Sequence, residues 1–319
     1  MMLRTRSLAA SAVTVGAVVT AALFAPVAPV ATAATSLKAA PAATTARSGG
    51  WAPAASAAIR PGALTETKGG GSCTANFVFT AGGRTFLGQA AHCGGTGAET
   101  ETNGCDSGTV GLGGPVTIRG AGGRDFTGTL AYSSWVTMRA NGESDPDTCA
   151  YNDLALVEIE PADVAQVNPS MPFFGGPTGI DTDGLAVGEQ VYSYGNSSLR
   201  LGINSLSPKV GVSAGDTGHG RSHLVYTLSP GVPGDSGSAF LDSDGAAVGQ
   251  LSTLNLAPLP VSNGVGDIAK ELAYANADGG LGDIELTLGT EPFTPTPAGV
   301  DPAKLATPAG PPLGERPQA

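Results

Sequence analysis

The sequence predicts an all-β fold built from two sets of short strands. Glycine supplies 48 of the 319 residues and charged residues only 13%, a composition typical of many short strands joined by tight turns. Segments rich in β-branched and aromatic side chains recur along the chain, with Gly-Gly pairs between some of them. A stretch rich in proline and glycine at 168–177 separates these segments into two sets, which indicates two units joined by a linker. The strand pattern alone allows barrels or a sandwich.

The individual elements follow from local patterns of hydrophobicity. In the first set, strands are predicted at 73–80, 85–91, 110–118, 126–139 and 154–159. In the second set, they are predicted at 190–194, 205–212, 223–228, 238–241 and 246–254. A short helix is predicted at 162–167, a helix with one apolar face at 264–276, and a last alternating strand at 284–288.

The two ends of the chain differ from the strand-rich middle. Arg4 and Arg6 precede an apolar stretch that ends at Ala31-Thr32-Ala33, which predicts a secretory signal peptide over 1–33. Residues 34–59 are rich in small residues and are expected to be disordered or a short pro-segment. The Pro/Thr/Ala-rich residues 291–319 are expected to form a flexible tail. We therefore expect a secreted, extracellular protein with no membrane span after signal removal.

Charge and cysteine content narrow the classes of function. The formal net charge of −11 at pH 7 disfavours binding to nucleic acid and to anionic membranes. The chain has four cysteines, Cys73, Cys93, Cys105 and Cys149. An even number in a secreted protein predicts two disulfides, and three pairings are possible. No second Cys/His pair stands at the spacing of a zinc site, so we expect neither a metal nor a cofactor.

Three short motifs carry residue types that suit acyl transfer. They are Ala90-Ala91-His92-Cys93, Asp153-Leu154-Ala155-Leu156-Val157 and Gly234-Asp235-Ser236-Gly237-Ser238. A serine hydroxyl is a weak nucleophile at neutral pH and needs a neighbouring base to take its proton. An imidazole, with an unperturbed pKa of about 6.5, performs this role near pH 7. A buried carboxylate then fixes the tautomer of the ring and stabilises the imidazolium.

Each motif also has a plainer interpretation. Gly-Asp-Ser-Gly alone is compatible with a surface turn, His92 with a core histidine or a metal ligand, and Asp153 with an N-cap or turn residue. The three motifs together, in this order, favour the catalytic interpretation. The histidines His219 and His223 are alternative bases, but their polar, glycine-rich loop favours surface positions, or entry of His223 into a strand.

Two other hydrolase classes fit the sequence poorly. An α/β-hydrolase requires Gly-x-Ser-x-Gly and a histidine after the nucleophile, whereas Ser238 occupies the fifth position here and no histidine follows Ser236. An aspartic protease dyad would need Asp216-Thr217-Gly218 and Asp235-Ser236-Gly237 to come from two separate lobes, and these segments lie too close together in sequence.

The three motifs resemble those of the chymotrypsin-like serine peptidases, in particular the secreted bacterial branch. The likeness covers about residues 60–290. It implies two antiparallel six-strand β-barrels, over 60–168 and 169–290, with the active site in the cleft between them and a C-terminal helix on the second barrel. It also implies that the partner is a protein or peptide substrate, and we expect the protein to be a monomer.

The resemblance implies a role for each residue of the motifs. Ser236 would attack the scissile carbonyl, His92 would act as general base and acid, and Asp153 would orient His92. The backbone N–H groups of Gly234 and Ser236 would form the oxyanion hole. The resemblance also implies the disulfide Cys73–Cys93, which leaves Cys105–Cys149 as the second.

The sequence departs from the family pattern at two places, the substrate pocket and the charge partner of Asp235. The resemblance places Pro230, Ser252, Thr253 and Leu254 around the pocket. Pro230 stands where trypsin-like members carry a carboxylate, so a neutral or apolar P1 residue is expected, and Leu254 favours small side chains. Asp235 should be buried beside a cation, for which Arg200 and a processed N-terminus are the candidates, because Ser193 occupies the position where an arginine is often found.

Two classes of function remain open from the sequence. The first is a secreted serine endopeptidase with an acyl-enzyme intermediate. The second is a catalytically silent binding protein on the same scaffold. Inactive relatives of enzymes usually lack a triad member, and here His92, Asp153, Ser236 and the oxyanion-hole residue Gly234 are all present, which favours the enzyme.

Overall fold

A computed structural model of the chain describes residues 50–98, 100–201, 203–255, 262–296 and 300, with the side chain of Asn204 left out. The predicted signal peptide, residues 34–49 and most of the predicted tail lie outside these ranges. No helix of the described ranges is long and apolar enough to cross a membrane.

The first half of the described chain is a single antiparallel sheet of eight strands. Seven strands come from this half and the last from the C-terminal end: β1 Leu64–Thr67, β2 Ser72–Thr74, β3 Val78–Ala81, β4 Arg84–Ala90, β5 Pro115–Arg119, β6 Asp125–Ser133, β7 Leu154–Ile159 and β14 Glu285–Leu286. Their order is β14-β3-β4-β7-β6-β5-β1-β2. Alternating buried side chains such as Leu87, Ile118 and Val157 face a common core.

The second half is a closed barrel of six strands. These are β8 Gln190–Tyr194, β9 Pro208–Thr217, β10 Ser222–Thr227, β11 Ala239–Leu241, β12 Ala247–Asn255 and β13 Ser262–Asp267. They close in the order β10-β13-β12-β11-β8-β9. Branched and aromatic residues from alternate positions, among them Val191, Phe240 and Val265, fill the interior. The expected all-β fold is confirmed, and closure of this barrel removes its exposed edges.

Three α-helices connect or cover the strands: α1 Ser134–Asn141, α2 Pro146–Tyr151 and α3 Ile268–Asp278. Short 3₁₀ turns occur at Ala91–Gly94 and Val164–Gln166. The helix α3 begins where the Asp267 carboxylate accepts a hydrogen bond from the Lys270 amide, 2.8 Å away, a common helix start. Its buried face, which includes Ile268, Leu272 and Ala275, belongs to the large apolar core shared with Phe79 and Leu156.

Several predicted elements are wrong in type or extent, among them the single strand predicted over 73–80, which is the two strands β2 and β3. The strand predicted over 126–139 ends at Ser133, because α1 then buries Trp135 and Met138 on the first core. The helix predicted from 264 starts four residues later, since Gly264 and Gly266 pair in β13 instead. The expected two-unit β architecture is confirmed: the second half is a closed six-strand barrel and the first half a sheet of eight strands, to which the C-terminal strand β14 adds an edge by pairing with β3.

The folded part extends beyond both expected boundaries. Residues 50–59 belong to the segment expected to be disordered or a short pro-segment; they are ordered, since Trp51 packs against the first core and Ile59 is fully buried. The Ala52 amide donates to Val167 O at 2.9 Å. At the other end, Phe293 stacks edge-on against Tyr192 with ring centroids 5.3 Å apart. Residues 291–296, the first part of the expected tail, are therefore anchored to the second half by an aromatic contact.

Candidate active site

His92 lies in the 3₁₀ turn that follows β4, and Asp153 lies immediately before the neighbouring strand β7. The carboxylate of Asp153 contacts this turn twice. Its Oδ2 atom lies 2.7 Å from His92 Nδ1, and its Oδ1 atom accepts a hydrogen bond from the His92 amide at 2.8 Å. One buried carboxylate therefore fixes both the backbone and the ring of His92, and its contact with Nδ1 leaves Nε2 as the nitrogen that can accept a proton.

The local charge makes His92 more basic than an isolated imidazole. Burial lowers the pKa of His92, but the negative charge of Asp153 and its hydrogen bond outweigh burial and raise the pKa above its ordinary value. The ring keeps access to solvent, with 26% of the side chain exposed, whereas Asp153 is buried. A basic ring with an accessible edge is what a general base requires.

Ser236 follows the buried Asp235 in the loop between β10 and β11. Thr74, at the end of β2 in the first half, holds this loop at two points. The Thr74 amide donates to Ser236 O at 2.7 Å, and its hydroxyl donates to Gly234 O at 2.8 Å. These bonds hold the loop of the predicted nucleophile against β2 of the first half. No hydrogen bond joins the Ser236 hydroxyl to the His92 ring in the described ranges; in substrate-free active sites this bond is often long.

The amides expected to form the oxyanion hole are available to a ligand. Gly234 has a φ of +93°, a conformation that glycine adopts without the cost that a Cβ imposes. The amides of Gly237 and Ser238 donate to Leu251 O and Asp235 O. In contrast, the amides of Gly234 and Ser236 donate to no protein acceptor within the described part of the chain. Two unpaired amides, one residue apart in the same turn, can stabilise a developing oxyanion.

Gly237 is the position where this loop tolerates no side chain. A Cβ at Gly237 would lie 2.7 Å from Thr74 O, 2.8 Å from Ala90 N and 3.2 Å from Cys73 Sγ, and its φ is +82°. The first two of these atoms are backbone atoms of the first half that cannot move aside cheaply. The glycine therefore allows the nucleophile loop to approach β4 and the disulfide closely.

We expect Gly237→Ala to destabilise the protein by about 2–4 kcal/mol through this overlap and the strained backbone. Gly113→Ala is the matched control, because Gly113 has a φ of +84° and open space around its Cβ position. Strain alone should cost the control about 1–2 kcal/mol. Thermal unfolding of both variants measures the difference, and equal losses would contradict the close approach of the loop to β4.

Asp235 is fully buried and has two cationic partners. Its Oδ2 atom contacts the Arg200 guanidinium and lies 2.6 Å from Lys209 Nζ, and the amides of Ser197 and Val232 also donate to the carboxylate. Burial raises the pKa of Asp235, but the charges of Lys209 and Arg200 outweigh it and hold the pKa below its ordinary value. Arg200 was a candidate from the sequence; Lys209 was missed, because its position in β9 gives no sign that it points inward.

Both expected disulfides form, Cys73–Cys93 and Cys105–Cys149. The first joins β2 to the turn that carries His92, and the second joins the segment before β5 to α2, which ends just before Asp153. They close loops of 20 and 44 residues, for which the chain-entropy model gives about 3 and 4 kcal/mol of stabilisation. The cross-links therefore brace the half that holds His92 and Asp153.

The residues expected around the substrate pocket lie on two adjoining segments. Ser252, Thr253 and Leu254 belong to β12, and Leu254 is 46% exposed. Pro230 lies in the loop after β10, and the next amide, that of Gly231, donates to Asn263 Oδ1 in β13 at 2.9 Å. A Cβ at Gly231 would lie 2.7 Å from Leu251, so this loop packs directly on β12. The strand and the loop can thus form two walls of one pocket.

The other histidines are engaged elsewhere. His223 lies in β10 with its ring buried, and Asp216 and Asp267 lie 2.6 and 3.2 Å from its two ring nitrogens. A ring with both nitrogens bound to carboxylates has no free site for the proton of a serine. His219 is almost fully exposed and contacts Asp147. Neither histidine contacts Ser236 or Asp153 in the described ranges.

Sequence reasoning missed two polar residues behind Asp153. Glu271 Oε1 accepts a hydrogen bond from the Asp153 amide at 2.8 Å. Gln250 Nε2 donates to Asp153 O, also at 2.8 Å. Glu271 falls outside the apolar positions of the helix predicted at 264–276, yet it is 2% exposed. A glutamate beside buried Leu272 was the only sequence signal, and it does not identify a partner.

Comparison of the chain with known proteins gives matches among solved structures. No protein-family model matches the sequence, and no curated protein sequence does. Thermobifida fusca Protease A matches with 18% identity over 73% of this chain and 100% of its own, with a TM-score of 0.44. Nocardiopsis Protease matches with 18% identity over 72% of this chain and 99% of its own, with a TM-score of 0.42. A Glu endopeptidase matches with 17% identity over 68% of this chain and 91% of its own, with a TM-score of 0.45.

The chain is similar to serine proteases of the trypsin fold. At these levels of identity the likeness concerns architecture. The roles of individual residues therefore depend on the contacts of His92, Asp153 and Ser236 within this chain.

Proposed function

We propose that the protein is a secreted serine endopeptidase that hydrolyses peptide bonds through His92, Asp153 and Ser236. The observation that carries this proposal is the double contact of the buried Asp153 carboxylate with the amide and Nδ1 of His92. Because Nδ1 contacts Asp153, Nε2 is the ring nitrogen left to take a proton from Ser236.

The first half of the reaction forms an acyl-enzyme. The Ser236 Oγ atom attacks the scissile carbonyl carbon while its proton passes to His92 Nε2. The carbonyl oxygen becomes an oxyanion, which the amides of Gly234 and Ser236 stabilise; one such donor contributes about 3 kcal/mol to the transition state. His92 then gives the proton to the departing amine, and the C–N bond breaks.

Water completes the reaction by the same steps in reverse. His92 takes a proton from water, the resulting hydroxyl attacks the acyl carbon, and the Ser236 Oγ atom leaves with the proton returned by His92. Throughout the cycle Asp153 stays in contact with Nδ1 and stabilises the imidazolium form of His92. Because only neutral His92 acts as a base, activity requires a pH above the pKa that Asp153 raises.

A fluorophosphonate probe tests the proposed nucleophile directly. We expect the mature protein to be labelled once, at Ser236, with Ser236→Ala unlabelled under the same conditions. Peptide mapping of the labelled protein identifies the site. Ser238→Ala is the matched control, since Ser238 lies two residues away with a fully buried side chain and should retain labelling. A folded, mature protein that takes up no label would instead favour the silent binding protein.

We propose a neutral or apolar residue at P1, with small side chains preferred, because Pro230 carries no charge and Leu254 stands beside the predicted pocket. Cleavage of a mixed peptide library, read by mass spectrometry, measures this preference. Leu254→Gly should allow cleavage after P1 residues with larger side chains. A strong preference for Lys or Arg at P1 would show that Pro230 does not occupy the base of the pocket.

A further inference from the structure

The backbone of Asp153 is held on both sides by side chains from the second half of the protein. Glu271 in α3 accepts from its N–H group at 2.8 Å, and Gln250 in β12 donates to its C=O group at 2.8 Å. The Ala91 amide, from the residue before His92, donates to the same carbonyl. With its peptide groups fixed in this way, the Asp153 side chain is directed to His92.

Gln250 is itself fixed by the first half of the protein. Its Oε1 atom accepts from Asn76 Nδ2 at 2.7 Å, and Asn76 Oδ1 accepts from the Phe77 amide at 2.6 Å. The Gln250 Nε2 atom also lies 3.1 Å from Glu271 Oε2. All three side chains are almost fully buried. The orientation of the Gln250 amide is therefore set by contacts on both sides, and it joins Asn76, Asp153 and Glu271 in one network.

Glu271 has no cationic partner in the described ranges. Its polar neighbours are the Asp153 amide and Gln250, and the titratable groups that face it are Asp153, Asp267 and the Tyr132 hydroxyl. Burial, and then the negative charge of Asp153, raises the pKa of Glu271 well above its ordinary value. A neutral carboxyl group can accept the Asp153 N–H bond without placing a second negative charge behind the Asp153 carboxylate.

The carboxyl group of Glu271 has room in this position because the neighbouring residue of β13 is a glycine. A Cβ at Gly266, in β13, would lie 2.6 Å from Glu271 Oε1. The absence of a side chain there lets the carboxyl group lie against the strand while it contacts Asp153. The position of the carboxyl group is thus fixed by the barrel wall as well as by its hydrogen bonds.

We propose that Glu271 and Gln250 are positioning residues that hold the backbone of Asp153, and through it the ring of His92, from the second half of the protein. This inference deepens the proposed function and rests on it. Neither residue touches the reacting atoms. The alignment of base and nucleophile then depends on a contact between the two halves, because the half that carries Ser236 also orients Asp153.

Two variants at one position test the role of Glu271. Glu271→Gln keeps a neutral acceptor for the Asp153 amide, so kcat should stay within about threefold of the wild type. Glu271→Leu removes the acceptor, and a displaced base should lower kcat by about 10- to 100-fold with little change in KM. Rates are expressed per active site titrated with the fluorophosphonate probe. Leu272→Ala is the control: it weakens the packing of α3 without touching Asp153, so its kcat per site should not change.

The His92 Nδ1 proton gives a second readout that needs no activity. Its downfield proton resonance should be retained in Glu271→Gln and shifted or lost in Glu271→Leu. An unaltered resonance and an unaltered kcat in Glu271→Leu would overturn the inference. A fall in kcat in Glu271→Gln as large as that in Glu271→Leu would overturn it as well. If the wild type takes up no probe, the proposed function fails, and the resonance still decides whether Glu271 positions His92.

Discussion

Replacing His92 by alanine should lower kcat by about 10⁶-fold, the loss seen when a serine protease loses its base. Without the imidazole, no group accepts the Ser236 proton during attack or returns it to the leaving amine. KM should change little, because His92 is not part of the predicted pocket. Single-turnover kinetics with a peptide ester, together with labelling by the fluorophosphonate probe, measures the effect. The His92→Ala protein should also take up no label.

A graded comparison separates the base from the residue that orients it. Asp153→Asn keeps the shape of the side chain but favours the wrong tautomer of His92, and a loss of about 10⁴-fold is expected. His223→Ala should leave kcat per active site unchanged, because both nitrogens of His223 contact carboxylates and His223 has no hydrogen bond to Ser236 or Asp153 in the described ranges. Labelling of Ser236 that persists undiminished in His92→Ala would remove His92 from the mechanism.

Asp235→Asn should destabilise the protein by about 3–5 kcal/mol, because it leaves Arg200 and Lys209 buried without a counter-ion. Lys209 has only 1% of its side chain exposed, so its charge cannot reach solvent. The same change should loosen the turn that holds Gly234 and Ser236. Urea unfolding measures the loss, and the matched control is Asp242→Asn. Asp242 is also buried, but it accepts only amide hydrogen bonds, at 2.8 Å from Asp244 N and Ala246 N, which an asparagine oxygen can keep.

The charge of Asp235 also predicts how stability depends on pH. Its pKa in the folded protein lies below the ordinary value, so its contribution is complete above the unfolded pKa of about 3.9 and is lost as the pH falls through the folded pKa. Asp235→Asn should remove this acidic loss of stability. The double variant Asp235→Asn with Lys209→Met should regain part of the stability at neutral pH. Equal unfolding free energies for Asp235→Asn and Asp242→Asn would contradict a buried ion cluster.

Much of the fold could be predicted because its strands carry strong local patterns. The strands at 154–159 and 190–194 have the predicted limits, since each is a short apolar segment of high β-propensity bounded by turn residues or charge. The helix α1 was missed because its sequence continues the apolar character of β6, and only the packing of Trp135 and Met138 gives it a helical period. The strand β13 was missed because glycine and asparagine are poor strand formers, and its pairing partners compensate for this.

In the candidate site, too, the residues in short motifs could be predicted, and those whose contacts are distant in sequence could not. His92, Asp153 and Ser236 lie in motifs that can be recognised within a few residues. Glu271, Gln250 and Lys209 acquire their environment from partners far away in the chain; Glu271 and Asp153, for example, are 118 residues apart. A polar residue near a strand has the same local signature whether it faces solvent or a buried carboxylate, so the sequence alone could not assign these three.

The pairing of β14 with β3 has a consequence for the order of synthesis. Residues 285 and 286 form the edge of the sheet built from the first half. A chain emerging from the ribosome therefore presents β3 as an open edge until almost every described residue has been translated. The sheet of the N-terminal half therefore gains its last strand only after the C-terminal half has been made, so the two halves complete their folding together.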